Sequence, residues 1–425
     1  MAYKRRIMDD TLDELFPYLG AIALEGAKGV GKTATASERA ATVIDLSRQK
    51  RRDAAQADDD FIMRGPRPVL IDEWSRLPEV WDRVKEAVDN DHAGGQFLLA
   101  GSAAVAPGVA IHSGAGRIVS LRMRPLSMAE RGLASPTVSL REVMTSGVAE
   151  IGGQSPVGLA DYTSEILASG FPGIRRLPAP VRDVQIDSYI TRIVDRELTE
   201  NGMVARKPAA LRAWLAAYAA ATASTAMYTT ILDAATPGEN LKASRVTLDV
   251  YREHLTRLFI LDPLPAWIPA FNPLKRLGTA PKHHLVDPAI AARLVGVGQS
   301  GLLRGDGEQV APGTGTWLGA LFESLAALSV RVYADAMHAT VGHLRTTDGA
   351  YSREIDLIVE GGDRRVVAVE VKLAPTVGDH DVRHLNWLRD QIGDRLADRL
   401  VITTGDTAYR RRDGVAVVPL ALLGP

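Results

Sequence analysis

Along the first 135 residues, short apolar runs alternate with stretches of helical periodicity. Met8, Leu12, Leu15 and Phe16 recur at helical spacing and predict an amphipathic helix over about 8–18. GAIALEG (20–26), TVIDLS (42–47), PVLIDEW (68–74), QFLLAGS (96–102) and RIVSLRM (from Arg117) predict five strands. Helical patterns start at about Lys32 and cover about 48–63 and 78–90. Strands that are apolar nearly throughout, with helices between them, predict a parallel sheet covered on both faces. The first unit, residues 1–145, is therefore an expected α/β domain.

The pattern then changes. AAVAPGVAIHSGAG (103–116) and the Gly, Ser and Pro-rich stretch 145–160 predict a surface loop and a linker. From Asp161 to about Ala235 no strand-like run interrupts the helical pattern. A turn at Pro237–Asn240 precedes a helix over 243–259, then two β-like runs at 260–267 and 282–287 joined by a loop with Lys275 and Arg276. Helix, turn, helix and ribbon predict a helical and winged-helix domain over 160–295. Lys242, Arg245, Arg252 and Arg257 are its candidate DNA contacts, diluted by Asp249 and Glu253. A winged helix packed against its neighbour fits equally well. The third unit, 315–425, shows a helix over 317–330, strands at RVYA, VGHLRTT, EIDLIVE and RVVAVEVKL, a helix over 379–392 and a strand at 399–405. That order predicts an α/β domain with a largely meandering sheet.

Composition narrows the chemistry. Fifty basic and fifty-one acidic residues give a net charge of −1, which excludes attachment to nucleic acid by global charge but leaves room for a local basic face. The chain has no Cys, so disulfides, thiolate zinc sites and a cysteine nucleophile are excluded. That usage fits a reducing cytoplasm, the expected location. No apolar run is long enough to span a bilayer, so no membrane partner is expected.

GAKGVGKT, Gly26 to Thr33, matches the phosphate-binding pattern G-x-x-x-x-G-K-[ST] between an expected strand and an expected helix. Gly26, Gly29 and Gly31 let the backbone curl, so that amides from Gly26 through Ala27, Lys28, Gly29, Val30 and Gly31 face phosphate oxygens. Lys32 would reach the β- and γ-phosphates of ATP, and Thr33 would ligate Mg²⁺. VLIDE, 69–73, ends an apolar strand in two carboxylates: Asp72 to hold Mg²⁺ and Glu73 to act as general base on water. Glu73 suits water activation better than a small-molecule kinase would need. Ser102 reads equally as a γ-phosphate sensor or as a turn serine. Arg117 reads as a solvated loop arginine in preference to an arginine finger, whether acting in cis or from a neighbouring subunit of a homo-oligomer.

LEGAKGVGKT, VLIDEW, LLAGS and GAGRIVSLRMRPLSMAER, continued by GFPG, SYITRIVDRE and EVKL, resemble the bacterial and archaeal AAA-family ATPases. The members in question carry a C-terminal domain of unknown function with a nuclease-like fold. The resemblance spans nearly the whole chain. It implies an AAA-like P-loop domain, a winged-helix middle segment and ATP binding. One departure is Trp74–Ser75 where the family usually reads Ile-Gln after its acidic pair; both carboxylates remain.

In the third unit, Asp356 is followed after thirteen residues by Glu370–Val371–Lys372. An aspartate on one strand and Glu-x-Lys on the next is the arrangement of PD-(D/E)XK nucleases, so a restriction-endonuclease-like fold is expected. Alternation places Glu370 and Lys372 on one strand face. Asp356 and Glu370 would bind metal, with Glu323 on the preceding helix as a further ligand and Glu354 as a weaker alternative. Lys372 would position the attacking water on a DNA phosphodiester. The plain alternative is a core hairpin with exposed carboxylates and an ordinary Glu–Lys pair. His283–His284 with Asp287 reads as a wing histidine pair rather than a metal site, and Arg51–Arg52 and Arg410–Arg412 as solvated surface, the latter able to assist a phosphate groove.

Overall fold

The computed structural model describes residues 3–101, 114–145, 149–198, 208–235, 245–269, 279–304, 314–348 and 351–425. Two compact units divide the chain: residues 1–124 with 195–206 and 250–260, and residues 125–194 with 207–249 and 261–425. Residues 125–145 and most of the helical middle group with the C-terminal sheet, while 195–206 and 250–260 group with the first unit.

The first unit starts with α1 (Ile7–Leu15) and builds β1 (Ala21–Glu25), α2 (Lys32–Ser37), β2 (Thr42–Asp45), α3 (Gln49–Ala57), β3 (Val69–Asp72), α4 (Glu79–Asn90), β4 (Phe97–Gly101) and β5 (Ile118–Arg122). All five strands are parallel, in the order β2-β3-β4-β1-β5. The alternation of strand side chains explains why each run is apolar throughout. Ala21, Ala23, Val69, Ile71, Phe97 and Leu99 face one core with Trp74, Trp81 and Val84. Ile22, Leu24, Leu70, Leu98 and Ala100 face the other with Leu12, Phe16 and Ala36. Each fully buried large side chain contributes about 1.5–3 kcal/mol. The polar stretch expected to be helical over 48–63 splits at Asp58, whose side chain accepts from the Asp60 amide and starts a 3₁₀ turn, Asp59–Met63.

In the second unit, α5 (Leu159–Ala168), α6 (Ala179–Arg192), α7 (Pro208–Ala220), α8 (Tyr228–Ala235), α9 (Pro288–Val295) and α10 (Thr314–Asp335) accompany a second sheet. After the short β6 (Val138–Ser139), that sheet holds β7 (Thr340–Asp348), β8 (Tyr351–Glu360), β9 (Val366–Val371), β10 (Leu396–Thr403), β11 (Tyr409–Arg410) and β12 (Ala416–Pro419), ordered β11-β12-β10-β9-β8-β7. α11 (Arg383–Ile392) lies between β9 and β10 in the chain.

Three expectations change here. RVYA is the last turn of α10 rather than a strand, because Val330, Tyr333 and Ala334 continue the buried helical periodicity. The sheet is only half a meander: β7-β8-β9 are antiparallel, whereas β9 and β10 are parallel, as a crossover through α11 allows, and β10 and β12 are parallel as well. The expected linker is partly docked, with Ser155 N–H donating to the Asp406 carbonyl at 2.7 Å and Gln154 bridging Thr407.

The helix Arg245–Arg257 is present, and Leu261–Leu285 and Leu264–Lys282 form isolated antiparallel bridges where a ribbon is expected. Lys242, Lys275, Arg276 and the turn at 237–240 lie outside the described residues. Among the described residues no helix is long and apolar enough to cross a membrane.

Candidate functional sites

At the C-terminal end of β1 the chain turns sharply into α2. Gly26, Gly29 and Gly31 have φ of 151°, 88° and 106°. At Gly26 a side chain is also excluded by contact, since a Cβ there would lie 2.2 Å from the Met123 carbonyl oxygen. The amides of Gly29, Gly31, Lys32 and Thr33 donate to no backbone carbonyl among the described residues, as expected for a loop entering a helix N-terminus. Left without backbone acceptors at a helix N-terminus, these donors suit phosphate oxygens.

Lys32 Nζ donates to the carbonyls of Gly26 and Ala27 at 2.7 and 3.0 Å. Burial lowers its pKa to about 8, against the opposing pull of Glu73 and Asp72. A polyphosphate in the loop would add further negative charge beside this buried amine. Thr33 Oγ1 donates to Asp72 Oδ1 at 2.9 Å, which joins the loop to the end of β3. Burial pushes both Asp72 and Glu73 above the usual carboxylate range, and the Asp72 charge adds to the effect on Glu73. Glu73 sits at φ 53°, ψ 40°, a left-handed turn that ends the strand. Behind it Trp74 packs on Trp81 with ring centroids 4.7 Å apart. Lys28 leaves the loop to pair with Glu197 at 2.7 Å. Arg117 pairs with Asp89 at 2.5 Å. Ser102 lies outside the described residues.

The second cluster lies in the C-terminal sheet. Asp356 on β8 is part-buried and Glu370 on β9 is buried, and Lys372 Nζ meets Glu370 Oε2 at 2.9 Å, as period-two alternation requires. Glu370 is 4% exposed, so the alternative of exposed hairpin carboxylates fails for it. Asp356 Oδ2 accepts from the Val371 amide at 2.9 Å. A residue that motif reasoning missed sits at the centre. Lys282 Nζ, on a chain segment that precedes the sheet, lies 2.8 Å from Glu323 Oε1, 2.8 Å from Glu354 Oε1 and 2.9 Å from Asp356 Oδ1.

Burial by itself lowers the pKa of Lys282. Asp356, Glu323 and Glu354 outweigh it and hold the amine well above the ordinary lysine range. Burial would likewise raise Asp356, but the Lys282 ammonium keeps its carboxyl low. Burial and the Asp356 charge push Glu323 and Glu370 up. Among the described residues no three of His, Asp and Glu form a group suited to a metal ion.

The other candidates have structural partners. His283 Nε2 meets the Ala226 carbonyl at 2.7 Å between the edges of Tyr218 and Tyr228. His284 Nδ1 meets Ser324 Oγ at 3.2 Å, and burial lowers its pKa to about 3. Asp287 caps α9 and holds Ser169 and Gly170, the start of GFPG. Arg410 and Arg411 depart from the expected solvated surface: Arg410 grips Asp398 with both terminal nitrogens at 2.9 Å, and Arg411 pairs with Asp379 and Asp413. Arg52 donates to the Leu46 and Ser47 carbonyls.

Residues 20–131 match the family model described as an AAA domain. Residues 159–301 and 318–423 match two models described as domains of unknown function, DUF8612 and DUF4143. No curated protein matches the chain. The parallel sheet and its loop are thus an AAA-type, nucleotide-binding P-loop domain, and the C-terminal match agrees with the domain of unknown function that the resemblance implies.

Proposed function

We propose that the chain is an ATP-hydrolysing switch whose C-terminal domain engages DNA through a nuclease-like face without cutting it. The observation that carries the ATPase reading is the convergence of Lys32, Thr33 and Asp72, with Thr33 Oγ1 2.9 Å from Asp72 Oδ1. Backbone amides from Gly26 to Thr33 would cradle the phosphates, and Lys32 would meet the β,γ-oxygens. Thr33 and Asp72 would hold Mg²⁺, which when bound neutralises charge developing on the transferred phosphoryl group. Glu73, beside Asp72 at the strand end, takes the proton from the attacking water. Lys32→Ala is expected to lose ATP binding in an equilibrium titration with a fluorescent ATP analogue. Unchanged affinity would reject the site.

The nuclease-like reading rests on Asp356, Glu370 and Lys372 standing together on adjacent strands, with Glu323 close by. The non-cutting form is favoured because their charges are already engaged by the protein's own lysines, Lys282 and Lys372. Supercoiled plasmid incubated with the full chain, Mg²⁺ or Mn²⁺, with and without ATP, is expected to stay intact. Nicking that disappears in Asp356→Ala would establish cleavage instead.

A further inference from the structure

The carboxylates of the C-terminal sheet come from two elements, Glu323 from α10 and Glu354 and Asp356 from β8. An ammonium has three N–H donors in a compact tetrahedral head. Lys282 places them on three carboxylate oxygens at 2.8, 2.8 and 2.9 Å, and only 1% of its side chain is exposed. Its backbone is fixed as well: Lys282 N donates to the Leu264 carbonyl and Leu264 N to the Lys282 carbonyl, both at 2.9 Å. Just before it, the Ala280 carbonyl lies 2.9 Å from His343 Nε2. The remaining Asp356 oxygen is held by the Val371 amide. Glu370 has its own cation in Lys372.

A nuclease-like fold implies a divalent metal among these carboxylates, and the residues as arranged do not fit one. A hard dication needs their oxygens at about 2.0–2.6 Å. Those oxygens already converge on a fixed positive charge, and two cations cannot share the place without strong repulsion in a buried site.

We infer that Lys282 is a built-in lock: its ammonium stands where the metal of a nuclease would stand and closes the C-terminal site to divalent ions. The inference rests on reading Asp356, Glu323 and Glu370 as a nuclease-like centre. It goes further by giving Lys282 the place of the metal among Glu323, Glu354 and Asp356. Removing the ammonium, while leaving the carboxylates, converts the cluster into a divalent-cation site.

The test is Mn²⁺ titration of the nucleotide-free full chain, with free Mn²⁺ read by electron paramagnetic resonance. The wild-type chain is expected to show no Asp356-dependent ion. Lys282→Met is expected to gain one ion, bound at least tenfold more tightly than any at the same place in the wild type, and to lose it again on adding Asp356→Asn. Lys282→Gln serves if methionine unfolds the domain by circular dichroism. Wild-type protein that already binds an Asp356-dependent ion overturns the lock and leaves the metal-centre reading standing. Folded Lys282 variants that stay empty overturn both. A readout without substitution is acylation by an amine-reactive reagent, mapped by mass spectrometry. Lys282 is expected to stay unmodified while the part-exposed Lys372 reacts, and equal labelling of the two overturns the lock.

Discussion

Glu73→Gln is expected to cut ATP turnover by about 10²–10⁴-fold, the span that a positioned general base supplies, with ATP affinity unchanged. The amide keeps the shape of the side chain and removes its ability to take a proton. Burial pushes the Glu73 carboxyl upward, so its proton affinity is closer to that of a working base than an exposed glutamate's would be. The groups assigned to phosphate and metal are untouched by the substitution, since Lys32 rests on the loop carbonyls and Thr33 on Asp72. Parallel titration and steady-state phosphate release separate the two effects. Turnover within about tenfold of wild type would remove Glu73 from the chemistry.

Asp287→Ala is expected to destabilise the second unit by about 3–5 kcal/mol, the range for deleting one partner of a buried charged network. Asp287 is fully buried. Its carboxylate accepts from Ser169 Oγ at 3.0 Å, from the Gly170 amide at 2.6 Å and from the Ala289 amide at 2.8 Å. Burial pushes its carboxyl up, and the fully buried Arg131 guanidinium is the leading charge that opposes this. Alanine would leave all of those donors without an acceptor in a place water does not reach. Ser169 is held at φ 67°, an unfavourable turn for a residue with a side chain, and loses the bond that fixes it. Asp287→Asn keeps an acceptor oxygen and is expected to cost less. Guanidinium denaturation, followed by the loss of folded signal from this unit, measures both; a cost below about 1 kcal/mol for alanine would contradict the network's role.

What the amino-acid order reveals follows from distance along the chain. Gly26 to Thr33 is a continuous loop, so its chemistry is legible residue by residue. The five parallel strands are legible because burial on both faces writes an apolar residue at nearly every position. Asp356, Glu370 and Lys372 are legible because a hairpin and an alternating strand bring them together. Lys282 is not: it is 41 residues from Glu323 and 74 from Asp356, and no local pattern joins a lysine to carboxylates so distant. Its neighbours His283 and His284 draw attention instead, although burial keeps His284 a neutral core imidazole. RVYA misleads for a related reason. A short apolar run reads alike as a strand or as the buried end of a long helix. The parallel pairing of β9 with β10 is likewise a property of the crossover, not of either strand.

The indoles of Trp74 and Trp81 lie 4.7 Å apart, and Trp74 directly follows Glu73. Aromatic transition dipoles that close couple to one another, so the pair forms an exciton chromophore built into the end of β3. A rotation of a few degrees in either ring alters its near-ultraviolet circular dichroism. The first unit therefore carries an intrinsic optical signal one residue from the carboxylate assigned to water activation, and ATP-dependent change in it is read without an attached dye.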